Sequence, residues 1–217
     1  MRAGFDHELR ELQDKLLIMG SKVEETIILA VSSLAGQDLD LARKIIDGDD
    51  IIDALSDEIE ETCLRIIARQ QPIAGDLRVL TTAMKMVTDL ERIADHATNI
   101  AEITQRIGRQ KLIKPLIDIP RMARLVEDMV HTSLQAFVER DVDKAKNNCL
   151  RDNEVDQIYE NIFLEIMAMI QKGMSPDDIV QAINLLFAAR YLERVGDHAT
   201  NIGERVIFLV TGKRESY

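Results

Sequence analysis

The sequence predicts an all-α protein, two tandem repeats of an antiparallel three-helix bundle, and three observations carry that expectation. The composition is 46% hydrophobic but only 4% aromatic, with no Trp and four Pro. Such a chain, rich in Ala, Leu, Ile, Glu and Arg, suits helices and offers little to a sheet. Apolar residues recur at three- and four-residue intervals over long stretches, the period of one buried helix face. Finally, Leu90–Glu102 (Leu-Glu-Arg-Ile-Ala-Asp-His-Ala-Thr-Asn-Ile-Ala-Glu) returns at Leu192–Glu204 as Leu-Glu-Arg-Val-Gly-Asp-His-Ala-Thr-Asn-Ile-Gly-Glu, with ten of thirteen positions identical. At 217 residues the chain holds two such units, 1–110 and 111–217, each able to contribute to a sizeable core.

The elements follow in order. Leu9, Leu12, Leu16, Met19, Val23, Ile27 and Ala30 mark a first amphipathic helix, closed by Gly36. Asp38 can cap a second helix, which the pattern Leu41, Ile45, Ile52, Leu55, Ile59, Ile66 carries to Gln70, with Gly48 as a point where it bends or breaks. Pro72 stops that helix. Asp76 stands in the first turn of a third, where a carboxylate favours the helix dipole, and this helix continues to about Ile107. Gly108 to Asp118 reads as a linker, and the order then repeats. Pro120 fits the first position of a helix carrying Met122, Leu125, Met129 and Phe137, and Asp141-Val-Asp-Lys-Ala echoes Asp38-Leu-Asp-Leu-Ala. Ser175 and Pro176 open the last helix, which Gly212 ends. Short connections of this kind join antiparallel neighbours.

A formal net charge of −11 excludes a non-specific nucleic-acid surface and adhesion to anionic lipid, both of which need clustered cations. Apolar runs such as Ile27–Val31 and Leu185–Ala189 are far short of the ~20 residues that span a bilayer, so no membrane insertion is expected. The charged N-terminus has no secretory apolar region, which points to a cytoplasmic protein. Cys63 and Cys149 lack the close spacing of a zinc site and read as buried reduced thiols.

The repeated motif carries the chemistry. At ~100° per residue, Glu91, Asp95, Asn99 and Glu102 form one narrow acidic stripe, and Glu193, Asp197, Asn201 and Glu204 form its copy. Arg92 and His96 point away from that stripe, so simple adjacency does not cancel its charge. The second helix of each half has its own stripe at i, i+4, i+8, namely Asp49, Asp53, Asp57 and then Asp152, Asp156, Glu160. Counting through the hairpins sets the two stripes at one height. Asp53 lies 17 residues before Gln70 and Arg92 lies 17 after Gly75, while Asp156 lies 16 before Lys172 and Leu192 lies 16 after Pro176.

Two carboxylates ~4 Å apart repel by about 4 kcal/mol at an effective dielectric of 20. A multivalent cation relieves this, and carboxylates with an Asn carbonyl are hard oxygen ligands for it. The competing reading is a solvated acidic face with Lys and Arg neighbours; duplication at matched height favours the metal. His96 and His198, turned ~100° from the stripe, read as core or inter-helix hydrogen-bonding residues, and Arg92 and Arg194 as ion-pair partners of nearby acids.

With Glu91-x-x-x-Asp95, Glu193-x-x-x-Asp197, Asp49-x-x-x-Asp53 and Asp152-x-x-x-Asp156 in place, the chain resembles the PhoU family of phosphate-uptake regulators. The likeness covers almost the whole length and includes Gln71-Pro72-Ile73-Ala74-Gly75-Asp76-Leu77-Arg78. It implies multinuclear sites for iron, zinc, manganese or magnesium on these motifs. It also implies a cytoplasmic negative regulator of phosphate uptake and of the phosphate-starvation response. The implied partners are the ATPase subunit of a phosphate ABC transporter, a phosphate-responsive sensor histidine kinase and a second copy of the chain. One departure is Met174-Ser175-Pro176, which replaces the Gln-Pro-Ile-Ala-Gly turn in the second half.

No enzyme is expected. A carboxylate-bridged di-iron enzyme typically uses Glu-x-x-His, and no Glu here has His three residues on. A phosphohydrolase would need a nucleophile with a positioned base, and none is evident. These two, with a metal-free helical adaptor, are the alternative readings.

Overall fold

The computed structural model describes residues 2–217. In chain order the helices are α1 (Arg2–Gly36), α2 (Leu39–Asp47), α3 (Asp50–Gln70), α4 (Gly75–Ile107), α5 (Asp118–Glu139), α6 (Val142–Cys149), α7 (Asp152–Gln171) and α8 (Pro176–Thr211). The stripe Leu12, Leu16, Met19, Val23, Ile27, Ala30 of α1 is buried throughout, as its spacing requires. Asp38 caps α2 by accepting from the Asp40 and Leu41 N–H groups, and Asp141 caps α6 by accepting from that of Lys144. Ser175 accepts from the Asp178 N–H with Pro176 in the first turn of α8, and Gly212, at φ +72°, closes that helix.

Two expectations are refined. The stretch Asp38–Gln70 is two helices, broken at Gly48-Asp49, where the sequence offered a bend or a break. The same break recurs at Leu150-Arg151, where there is no glycine. Glycine is therefore not the cause. The short helices α2 and α6 lie against the long helices α4 and α8, and the chain must turn to let α3 and α7 run alongside the same partners. Pro120 is not at the first position of its helix, which begins earlier at Asp118. It is third, where an α-helix still has no internal acceptor for the N–H that proline lacks.

Helices α1, α3 and α4 form one bundle and α5, α7 and α8 the other, while α4 against α8 and α1 against α5 join the two. A single apolar core runs through both halves. At Gly20 of α1 a Cβ would collide with the Leu134 side chain of α5, which therefore packs directly on the α1 backbone where the two bundles meet. His96 and His198, equivalent residues of the repeat, bring their rings to 5.6 Å between centroids. Contacts across the seam are reciprocal, His198 with Asp89 and His96 with Tyr191, 102 residues on from Asp89, which is the mark of a twofold relation, so a pseudo-twofold axis relating the halves passes between these histidines. Among the described residues no helix is long and apolar enough to cross a membrane.

Candidate metal centre

The first acidic group lies between the N-terminal end of α3 and the middle of α4. Thr98 donates to Asp49 Oδ1 at 3.0 Å and Ser56 donates to Glu91 Oε2 at 2.9 Å. These cross-links fix the height of one helix on the other, close to the count through the hairpin. Burial and then the Asp95, Asp50 and Glu91 charges raise the Asp49 carboxyl above its ordinary range, even though the Thr98 hydroxyl opposes the shift. Asp53, which is exposed, is also raised, with Asp49, Glu91 and Asp95 among the causes after burial. Asp49, Asp53, Glu91 and Asp95 thus act on one another electrostatically. Arg92, expected to point away, reaches Asp95 at 3.0 Å as its i, i+3 neighbour.

The second group, between α7 and α8, is built from the equivalent residues but is less satisfied. Burial, followed by the Asp156, Asp197 and Glu193 charges, pushes the Asp152 carboxyl up from an ordinary 3.8 to about 7. Burial is also the first cause of the upward shifts of Glu193 and Asp197. Asp152 Oδ1, Glu193 Oε2 and Thr200 Oγ1 are buried without a hydrogen-bond partner. Thr200 is the copy of Thr98, whose hydroxyl bonds Asp49; in the second half that bond is missing and both ends are orphaned. Glu193 keeps one ion pair, with Arg190.

The difference between the halves has a backbone cause. Gly196 stands where the first half has Ala94, and a Cβ there would lie 2.7 Å from Asp152 Oδ1 and 3.2 Å from Val155 Cγ1. The missing methyl lets Asp152 sit against α8 and lose water. Gly196→Val should cost about 2 kcal/mol through overpacking and drive the carboxylate out toward solvent. A denaturant melt checks the first effect and the loss of the raised carboxyl pKa by NMR titration checks the second.

Other expected site residues are not drawn in. Asn99 donates to the Asp95 carbonyl of its own helix, and Glu102 pairs with Arg106 at 2.8 Å. Glu204 accepts from the Tyr217 N–H at 3.0 Å. Asn201 and Glu204 do border the cleft of about 480 Å³ that Asp152, Asp197, His198 and Thr200 line, with Ser216 and Tyr217 closing its edge. Asp57 and Glu160 are exposed. Among the described residues no three His, Cys, Asp or Glu side chains converge as a ready metal cage.

The histidines work at the α4–α8 seam. His198 Nδ1 lies 3.0 Å from Asp89 Oδ1, while His96 stacks on Tyr191 at 5.7 Å between ring centroids. Asp89 and Tyr191 are themselves copies across the axis. Burial, with His198 and Arg194 nearby, lowers the His96 pKa to about 4, so its ring is neutral at pH 7. Arg205 completes the seam by donating Nε–H to Asp89 Oδ2 at 2.6 Å. Asp89, Thr98, Thr200, Arg190, Arg205 and Gly196 were missed from sequence. Asp89 alone left a signal, as an acid between the buried residues Val87 and Leu90. Cys63 and Cys149 are buried free thiols, pushed by burial to about 12.

Chemically, the second group offers hard carboxylate oxygens, an orphaned buried oxygen and a cradle that a methyl would fill, a donor set that fits a Mg-, Mn- or iron-type cation. Because the folded Asp152 carboxyl holds its proton to about 7, the metal-free fold loses stability as pH rises from 3.8 through that value. Cation affinity rises over the same window as the proton leaves. In chelator, the melting temperature should be higher near about pH 5 than near about pH 7.5, and Asp152→Asn should flatten the slope. A melting temperature that rises toward neutral pH would contradict the burial of that carboxyl.

The chain can now be set beside known proteins. A profile of the PhoU domain matches it twice, over residues 16–104 and 119–206. It is 43% identical over 211 residues to a phosphate-specific transport system accessory protein PhoU homolog of Clostridium acetobutylicum, covering 97% of this chain and 95% of that one. It is 34% identical over 209 residues to the Escherichia coli K12 accessory protein PhoU, with 96% and 86% covered. The crystal structure of PhoU from Pseudomonas aeruginosa superposes with a TM-score of 0.91 at 36% identity, covering 96% of this chain and 100% of that one. That of PhoU from Streptococcus pneumoniae also gives 0.91, at 31% identity with 98% and 100% covered. Two copies of the domain in tandem and likeness over nearly the full length, on a helical framework with the acidic motifs in register, place this chain in the PhoU family.

Proposed function

We propose that this chain is a non-enzymatic accessory protein of a phosphate-specific uptake system, a negative regulator that works from the cytoplasmic face by protein contact. The observation that carries the reading is full-length similarity to proteins named as accessory components of phosphate-specific transport. Its partners in this reading are the ATPase subunit of the phosphate ABC transporter and a phosphate-responsive sensor histidine kinase, with a second copy of the chain completing a homodimer. The absence of a nucleophile beside a positioned base in the acidic groups supports a regulator over a hydrolase.

In the same reading Asp152, Asp156, Glu193 and Asp197 hold a multivalent cation, and Asp49, Asp53, Glu91 and Asp95 hold one less tightly. The partnerless oxygens of the second group support this ranking. Deletion of the gene tests the regulatory role: phosphatase expression and phosphate uptake should rise under phosphate excess. Expression that stays repressed in the deletion strain would overturn it.

A metal-free helical adaptor is the second reading. The ion pairs Arg92–Asp95 and Arg190–Glu193, which partly neutralise both groups, favour it. Elemental analysis after reconstitution with manganese, iron, zinc or magnesium separates the two. Metal that stays substoichiometric for every ion decides for the adaptor.

A further inference from the structure

The α4–α8 contact is pseudo-symmetric, but its two flanks have diverged. On one flank Thr81, Thr82 and Lys85 of α4 face Asn201, Arg205 and Phe208 of α8 across a cleft of about 500 Å³, and Arg214 and Glu215 close it. On the opposite flank, 102 residues along the repeat, Ile183 replaces Thr81, Phe187 replaces Lys85 and Ile103 replaces Arg205. One flank gathers Lys85 and Arg205 beside Thr81, whereas the other has Ile183, Phe187 and Ile103 at those positions and carries its one cation at Arg106, in the place of Phe208.

Two of the three cations of the first flank have no carboxylate partner among the described residues, and the third keeps free donors. Arg205 gives its Nε–H to buried Asp89, which fixes the guanidinium, and among the described residues its two Nη groups have no protein acceptor. Arg214 lies over the Phe208 ring, 5.8 Å from its centroid, and neither it nor Lys85 has a carboxylate partner among the described residues. The two acids bordering the cleft are engaged. Glu215 pairs with Lys146 at 2.7 Å and accepts from the Tyr217 hydroxyl, and Glu204 accepts from the Tyr217 N–H. In a chain of net charge −11, Lys85 and Arg214 place two unpaired positive charges at a concave site whose own acids are Glu204 and the Lys146-paired Glu215, against the sign of the chain as a whole.

We propose that this cleft binds a phosphate-type oxyanion. Lys85 and Arg214 supply the charge, the Nη groups of Arg205 supply oriented donors, and Thr82 and Asn201 supply neutral ones. Planar guanidinium edges match tetrahedral oxyanions in charge and spacing. The volume falls within the ~300–1000 Å³ of small-molecule sites, which favours a small anion over the surface of a macromolecule. The oxyanion is either free phosphate or the phosphate of a nucleotide whose base lies against Phe208. The site is independent of metal, although Asn201 and Glu204 border both this cleft and the second acidic group.

The test is calorimetric titration of the full chain, stripped of metal by chelator, with inorganic phosphate and in parallel with ATP at low ionic strength. Saturable binding of one or both is expected, and which one binds identifies the source. The double variant Lys85→Ala, Arg214→Ala should weaken it at least about tenfold, the scale of two lost charge-assisted bonds. Phe187→Ala, the copy of position 85, should leave it unchanged, as should Asp152→Asn with Asp197→Asn. Lys85 and Arg214 are exposed, so their loss spares the core, and circular dichroism confirms the fold. Absence of saturation by either probe up to about 10 mM overturns the proposal, since weaker binding falls below the millimolar scale of about 4 kcal/mol. So does binding insensitive to the double variant, or binding of heparin alone, which would make the cleft a macromolecular contact.

Discussion

Replacing Asp89 with alanine should lower the melting temperature by about 6–12 °C. Asp89 is 4% exposed and holds both His198 and Arg205 from across the α4–α8 seam, at 3.0 and 2.6 Å. Removing it strands two partly buried donors, one of them permanently charged. Breaking a buried charge pair from one side costs about 3–5 kcal/mol, and the partial exposure of Arg205 and His198 puts this case at the lower end. For a chain of this size about 1 kcal/mol corresponds to about 2–4 °C. Asp89→Asn, which keeps the shape and one acceptor, should cost less than half as much. Thermal melts of both variants check the prediction. A change below about 2 °C for the alanine variant would mean that apolar packing alone holds the halves together.

Restoring manganese to chelator-treated protein should raise stability by about 2.7 kcal/mol at a hundredfold excess over the dissociation constant, or about 5–10 °C. Asp152→Asn with Asp197→Asn should abolish most of that rise. Asp49→Asn with Asp95→Asn should remove a smaller part, because Thr98, Ser56 and Arg92 already serve the first group. The asymmetry is the informative outcome. Equal losses from the two double variants would assign the orphaned oxygens of the second group no special role, and no rise in any variant would favour the metal-free adaptor.

Much of the fold was legible before any coordinates. The α1 stripe, the Asp38 and Asp141 caps, the Ser175-Pro176 start and the Gly212 stop depend on side chains acting within a few residues of themselves, which is why spacing revealed them. The meeting of Asp49 and Asp152 with the α4 and α8 motifs was also readable, because a hairpin of two straight helices leaves little freedom in height. The break at Gly48-Asp49 was readable as a weak point but its equivalent at Leu150-Arg151 was not, since the cause they share is the packing of α2 and α6 on distant helices.

The site divides along the same line. That there would be acids in duplicate, and on which faces, follows from a repeat and a helical period, both properties of the chain alone. Which acids would be satisfied came from the tertiary structure. Thr98 reaches Asp49 while Thr200 fails to reach Asp152, Gly196 opens a niche that Ala94 does not, and Glu193 takes its ion pair from Arg190, which the motif does not include. Local spacing sets direction along and around a helix, but hydrogen bonding and desolvation depend on ångström-scale distances between helices, and those are set only when the whole core packs.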